Sequence, residues 1–161
     1  MGSRPAALIL LLLAVPGSSS ISFRPKTNMT PSGGSFGSRM APWAAVGGGA
    51  VVGAIARYEI SELAARAKVK PWGIAGINVA GSFVLGSVVA SAPLSPASKL
   101  LIGTGFCGAF TTFSTFSVDA LTMIEAGKMR MALQYMAINN IGGIGAAAVG
   151  MWLFSGGKRL K

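Results

Sequence analysis

The sequence predicts an all-α protein: a bundle of four transmembrane helices, the third of them broken. Three observations carry this reading. The 161-residue chain is 52% hydrophobic and only 11% charged, too apolar for an ordinary soluble domain. Four apolar stretches each come close to the roughly 20 residues that a helix needs to cross about 30 Å of hydrocarbon. The connections between them, "AARAKVK", "APLSPASK" and "EAGKMR", are short. Loops of that length make neighbouring spans antiparallel helices, because open strands would leave backbone groups unpaired in lipid.

Residues 1–41 read as a targeting leader. Arg4 precedes "AALILLLLAV" (Ala6 to Val15), which is too short to span, and "PGSSS" follows as in a secretory signal peptide. From Ile21 to Ala41 the chain is rich in Ser, Gly and Pro and carries Arg24, Lys26 and Arg39 with no acid; the first acidic residue is Glu59. That stretch resembles a transit peptide. Two readings stand: a bipartite leader for a plastid bounded by extra membranes, or a secretory signal followed by a disordered tail. The destination is accordingly a complex-plastid membrane, or the plasma membrane or endomembranes. The "NMT" at Asn28 matches a glycosylation acceptor but is followed by Pro31, and carries little weight.

The membrane domain is placed at residues 42–155, with a basic tail at 156–161. Its spans are expected at Pro42 to Leu63, Trp72 to Ser91, Leu100 to Ile124 and Met131 to Phe154. Gly and Ala recur at spacings of three and four in "GGGAVVGAIAR", "GIAGINVAGSFVLGS" and "GGIGAAAVG", the pattern that lets membrane helices approach closely. Polar residues inside the spans say more, since polarity facing lipid is costly. Asn78 lies in the second span, Asn139 and Asn140 near the middle of the fourth, and Tyr135 one turn before Asn139. An intramembrane Asn serves either as interhelical glue or as a hydrogen-bond donor to a solute. Arg57, near the end of the first span, is either an interfacial anchor or a source of positive potential for an anion vestibule.

With no His and a single Cys, Cys107, the chain excludes a disulfide framework, a thiolate metal cluster and His-based acid–base chemistry within one chain. A Gly-rich phosphate loop ending in Lys-Ser or Lys-Thr is absent, so no ATP site is visible. The formal charge of +10 comes from residues scattered near span ends rather than clustered with aromatics, which favours interfacial anchoring over nucleic acid. Once the leader is cut before Arg39, one face of the membrane holds Arg39, Lys99, Lys158, Arg159 and Lys161, and the other holds Arg66, Lys68, Lys70, Lys128 and Arg130. Five against five leaves the positive-inside rule nothing to act on. Insertion in both orientations, with antiparallel pairing of two copies, is one consequence; a single orientation set by the leader is the other.

The third span contains "GFCGAFTTFSTFS", Gly105 to Ser117, with five hydroxyls, four phenylalanines and no charge. On a continuous helix the hydroxyls would surround most of the surface. Two or three can bond back to the preceding turn without harm; five beside "GFCGAF" predict that the helix breaks. A break frees backbone groups, which is tolerable where they line a cavity or bind an ion. The positive ring edges of phenylalanine can hold an anion while hydroxyls and amides donate to it. From the residues alone the segment is a polar pathway, open to an anion or to plain packing.

"GFCGAFTTFSTFS" resembles the signature of the CrcB/Fluc family of fluoride channels. "GAIARY" (Gly53 to Tyr58), "INVAGSF" (Ile77 to Phe83) and a fourth span with Tyr135 and Asn139 agree in order and spacing over about Ala45 to Phe154. The resemblance implies a dual-topology homodimer of four-helix subunits, two fluoride pores, and a sodium ion held at the dimer centre by backbone carbonyls of Gly108 and Thr111. It assigns Phe113 and Phe116 to the paired rings that face fluoride and Asn78 to the pore asparagine. It places Ser114 and Thr115 among the hydroxyls of the broken segment, Tyr135 and Asn139 on a polar track along the last helix, and Arg57 in an electrostatic role. Ala109 stands where many members have glycine, and Gly143 where a track hydroxyl is often found. The leader is foreign to bacterial members and points to a eukaryotic cell.

Two other classes compete with this reading. A small dual-topology multidrug antiporter coupled to protons needs a carboxylate deep in the first span, whereas Glu59 and Glu62 lie near its end and Asp119 late in the third. A non-transporting packing subunit would explain the glycines but not the hydroxyl-rich break. The implied partners are thus fluoride, sodium, the lipid membrane and a second copy of the chain, with no nucleic acid.

Overall fold

The computed structural model describes residues 36–155; the leader before Phe36 and the tail 156–161 lie outside the described residues. Among the described residues every regular element is helical, and none is a strand. The order is α1 (Phe36–Arg66), α2 (Lys70–Ala90), α3 (Pro96–Lys99), a π-helical segment Leu100–Cys107, α4 (Gly108–Phe110), α5 (Phe113–Glu125), α6 (Met129–Ala137), a second π-helical segment Ile138–Gly142, and α7 (Gly143–Phe154). The segments from α3 to α4 run on as one rod, as do those from α6 to α7. Four rods result, and the third is interrupted at Thr111 and Thr112. Helix α1 begins at Phe36, so the last residues of the expected leader are already helical.

Three stretches are long and apolar enough to cross a membrane: Lys70–Ala90, Pro96–Glu125 and Met129–Phe154. Helix α1, with 31 residues, has the length, about 46 Å at 1.5 Å per residue. Its composition falls short of the other three, because Gly47 to Gly49 add no apolar surface and Arg57, Glu59 and Glu62 add charge.

The turns explain the short connections. After α1, Val69 N–H donates to the Ala64 carbonyl and Lys68 N–H to that of Ala65. After α5, Lys128 N–H donates to Met123 and Gly127 N–H to Ile124. Both pairs are Schellman closures, which place one residue in the left-handed region; Gly127 (φ 70°) does so freely, Lys68 (φ 60°) at a cost of about 1 kcal/mol. Ser95 starts α3 by accepting the Ser98 N–H at 3.1 Å, with Pro96 in the first turn.

Glycines set the packing. A Cβ at Gly49 would overlap the Leu101 carbonyl oxygen, one at Gly53 that of Phe106, and one at Gly105 that of Val46. Helix α1 and the first π-helical segment therefore meet backbone to backbone. Helices α2 and α7 do the same: a Cβ at Gly86 would overlap the Ala147 carbonyl, and one at Gly150 that of Phe83. This is how small residues replace the hydrophobic effect inside a membrane. Gly150→Ala should therefore cost about 1–3 kcal/mol. In a detergent melting experiment it should lower the midpoint by several degrees, since Ser87 N and Oγ also sit 2.9 Å from the added carbon. An unchanged midpoint would show that the two helices can separate freely.

The larger side chains gather where the rods cross below the break. Ile74, Ala75 and Ile77 of α2, Phe110 of α4, Phe116, Ala120 and Met123 of α5, and Ala132 and Tyr135 of α6 form one buried cluster. It fixes α5 against α2 and α6, and so fixes what the break presents.

Candidate functional site

The third rod breaks because Thr111 (φ −80°, ψ 156°) and Thr112 (φ −147°, ψ 118°) are extended. Such a break strips the preceding carbonyls of the N–H groups that a continuous helix would send them. Side chains of other rods take up part of what is freed. Asn78 Nδ2 donates to the Thr112 carbonyl at 3.1 Å, and Asn78 Oδ1 accepts the Thr112 N–H at 2.9 Å. One side-chain amide thus pairs with both backbone groups of a single residue. Arg57 Nε donates to the Ala109 carbonyl at 3.0 Å. Thr112 caps α5, its Oγ1 accepting the Thr115 N–H at 3.2 Å.

The carbonyls of Gly108, Ala109, Phe110 and Thr111 all lose their helical donors, and Arg57 serves that of Ala109. The Thr112 N–H, which would have served Gly108, goes to Asn78, and the Thr115 N–H, which would have served Thr111, goes to Thr112 Oγ1. Gly108 is exposed, with no atom within 4 Å of where a Cβ would stand. No group of three or more His, Cys, Asp or Glu that could hold a metal occurs among the described residues. Backbone oxygens are therefore the donors a hard cation would find here.

Beside the break lies a cavity of about 220 Å³, lined by Thr111, Thr112, Phe113 and Phe116 of the third rod, Asn78, Ser82 and Leu85 of the second, and Asn139 and Asn140 of the fourth. The rings of Phe113 and Phe116 lie 5.6 Å apart at 49°. Phe113 is 77% exposed and Phe116 8%, so the outer ring projects from the subunit while the inner one belongs to the core. Phe116 in turn lies 5.5 Å from Tyr135, whose hydroxyl donates to Asp119 Oδ2 at 3.4 Å. Phe110 takes no part in this series; it stacks on Phe106 at 5.2 Å.

Among the residues expected from the sequence, Asn78, Thr111, Phe113, Phe116 and Asn139 share this cavity. Tyr135 is fully buried behind Phe116, and Ser114, Thr115, Arg57 and Gly108 lie along the break outside the cavity wall. Asn78 spends both amide hydrogens on protein, the second contact being Asn139 Oδ1 at 2.8 Å. Arg57 reaches across to the break instead of acting through its charge alone. Sequence reasoning did not place Ser82 or Asn140 in the wall, nor pair Asp119 with Tyr135. Ser82 carried a signal, lying one turn after Asn78 on the same helical face.

The family model described as CrcB-like protein, Camphor Resistance (CrcB), matches residues 44–151. Curated relatives include a fluoride-specific ion channel FluC of Leptospira interrogans, 44% identical over 87 residues that cover 52% of this chain and 68% of the relative. A FluC 1 channel of Streptomyces avermitilis is 41% identical over 115 residues, 68% of this chain and 93% of the relative. The FluC channel of Methanocaldococcus jannaschii is 42% identical over 100 residues, 60% of this chain and 81% of the relative. The matched residues contain the broken rod, the glycine contacts and all of the cavity wall, and on that ground the chain belongs to the CrcB family.

Proposed function

We propose that this protein is a fluoride channel, a passive conductor and not an enzyme, that lets fluoride leave a compartment where it would poison enzymes. The observation that carries the reading is the juxtaposition at the break: an exposed and a buried phenylalanine ring together with three carboxamides around one cavity of about 220 Å³. Fluoride is small and gives up hydration reluctantly, so a path for it must replace water with donors at every step. The positive edges of Phe113 and Phe116 and the amide of Asn139 supply such contacts without a fixed positive charge, which would trap the ion. Asn78 acts by holding Thr112, and Arg57 by holding Ala109. Thr115 Oγ1 accepts from Thr112 at 3.0 Å, which leaves its own hydrogen free to donate beside Phe116.

Sodium fits the donor set. The Gly108 and Thr111 carbonyls would hold it, and when bound it supplies positive charge close to the anion path. Helix α1 serves as a fourth span, its charged end at the interface. Two copies pair in opposite orientations, which accords with the balanced loop charges and with a Phe113 ring that projects from the single subunit. The resident membrane is that of a complex plastid, or the plasma membrane or an endomembrane, after removal of the leader. A proton-coupled antiporter reading is not favoured: Asp119 is already bonded to Tyr135, and Glu59 is exposed near the end of α1.

Anion efflux from liposomes reconstituted with the leader-free protein tests the reading. Fluoride should leave within seconds to minutes while chloride is retained. Equal loss of the two anions, or proton-driven uptake of cationic dyes with no fluoride flux, would overturn it.

A further inference from the structure

The donors around the cavity can be counted. Asn78 has given both amide hydrogens, to Thr112 and Asn139. Ser82 gives its one hydroxyl hydrogen to the Asn78 carbonyl at 2.7 Å, and Thr111 gives its own to the Cys107 carbonyl at 2.9 Å. The Thr112 hydroxyl donates to Thr115. Asn139 and Asn140 each spend one amide hydrogen on the carbonyl one turn back, Tyr135 at 2.9 Å and Met136 at 2.8 Å. A carboxamide has two hydrogens. Among the side chains of this wall, the donors with a hydrogen to offer are therefore the Asn140 amide and, beside the Tyr135 hydroxyl, the Asn139 amide.

The backbone accounts for two neighbours on one wall. Residues i and i+1 of an α-helix point about 100° apart, but Ile138–Gly142 is π-helical, and its wider turn narrows that angle. One turn beyond Asn139 the fourth rod has Gly143, which offers no side chain, and the atom facing that space is Ser82 Oγ, 3.4 Å from where a Cβ would stand. The Ser82 hydrogen is already given away, so neither Ser82 nor position 143 offers a donor, and Asn140 lines the same cavity with one.

We infer that Asn140 is a second anion-binding residue, which shares fluoride with Asn139 in the cavity that Ser82 and Leu85 also line. The inference rests on the fluoride-channel reading and adds to it a residue and a chemical role. Asn140 is exposed and its one hydrogen bond is to its own helix, so its replacement leaves the fold intact.

The test uses reconstituted protein and a fluoride electrode, with detergent melting midpoints as the structural control. Asn140→Leu should slow fluoride efflux by at least about tenfold with the midpoint within about 2 °C of the parent. Asn140→Gln, which keeps the amide donor, should stay within about threefold of the parent rate. Asn140→Asp is isosteric but replaces the donor with a negative charge, and should be slower than Asn140→Leu. That order is one a purely structural role does not produce. If the parent passes fluoride and Asn140→Leu or Asn140→Asp passes it as fast, the inference is overturned and the channel reading stands. If the parent itself passes none, both fall together.

Discussion

Phe113→Ile is expected to reduce fluoride efflux to the rate of protein-free liposomes while leaving the protein folded. The ring is 77% exposed and its one ring contact is with Phe116, so little packing is lost when it is replaced. Isoleucine keeps an apolar side chain of comparable reach but has no quadrupole, and so no positive edge. An ion with a reluctantly shed hydration shell then meets hydrocarbon where it met partial positive charge. Phe116→Ile makes the contrast. That ring is 8% exposed, lies between Phe113 and Tyr135, and belongs to the buried cluster. Its replacement should cost roughly 1–2 kcal/mol of stability as well as transport. The electrode rate and the melting midpoint together separate the cases. Parent-like efflux by a Phe113→Ile variant would remove the ring from the ion's path.

The break was legible because its residues are improbable in lipid otherwise. Five hydroxyls among Gly105 to Ser117 leave few faces for hydrocarbon, and the structure places two extended threonines in their midst. What held the break was not legible. The amide of Asn78 meets a backbone 34 residues away, and Arg57 one 52 residues away, distances at which no local pattern carries information. The π-helical segments were hidden for another reason. Leu100–Cys107 and Ile138–Gly142 are built of Gly, Asn, one Thr and apolar residues with no polar stripe, so a change of period leaves no mark on the pattern. The resemblance assigns Asn139 to the pathway, and an α-helical period puts its neighbour Asn140 on another face, which gives Asn140 no role. The first span was placed at Pro42 to Leu63, yet α1 runs from Phe36 to Arg66, because Gly and Ser near its start are weak helix formers that a long rod nevertheless carries along.

Asn78→Leu is expected to have the largest effect on the fold and to abolish efflux as well. The substitution keeps the branched outline and replaces a polar amide with an apolar side chain, so simple hydropathy arguments predict tolerance in a membrane helix. Hydrogen bonding predicts the opposite. Thr112 is 9% exposed, and without the Asn78 amide its N–H and C=O have no partner. Each orphaned group costs about 1–3 kcal/mol, and Asn139 Oδ1 loses its donor too. The backbone has one local remedy, which is to return the Thr112 N–H to the Gly108 carbonyl and rejoin α4 to α5 as a continuous helix. That remedy closes the cavity and takes back an oxygen assigned to sodium. Loss of stability and loss of transport are therefore two outcomes of one event, and they should appear together, with a melting midpoint lowered by about ten degrees and no fluoride efflux at any sodium concentration. Asn78→Asp separates the two halves of the amide: it keeps the acceptor for the Thr112 N–H and gives up the donor to the Thr112 carbonyl, so it should be the more stable of the two variants while still conducting poorly. If Asn78→Leu melts as the parent does, the break does not depend on the second rod, and the hydroxyl cap of Thr112 must hold it alone.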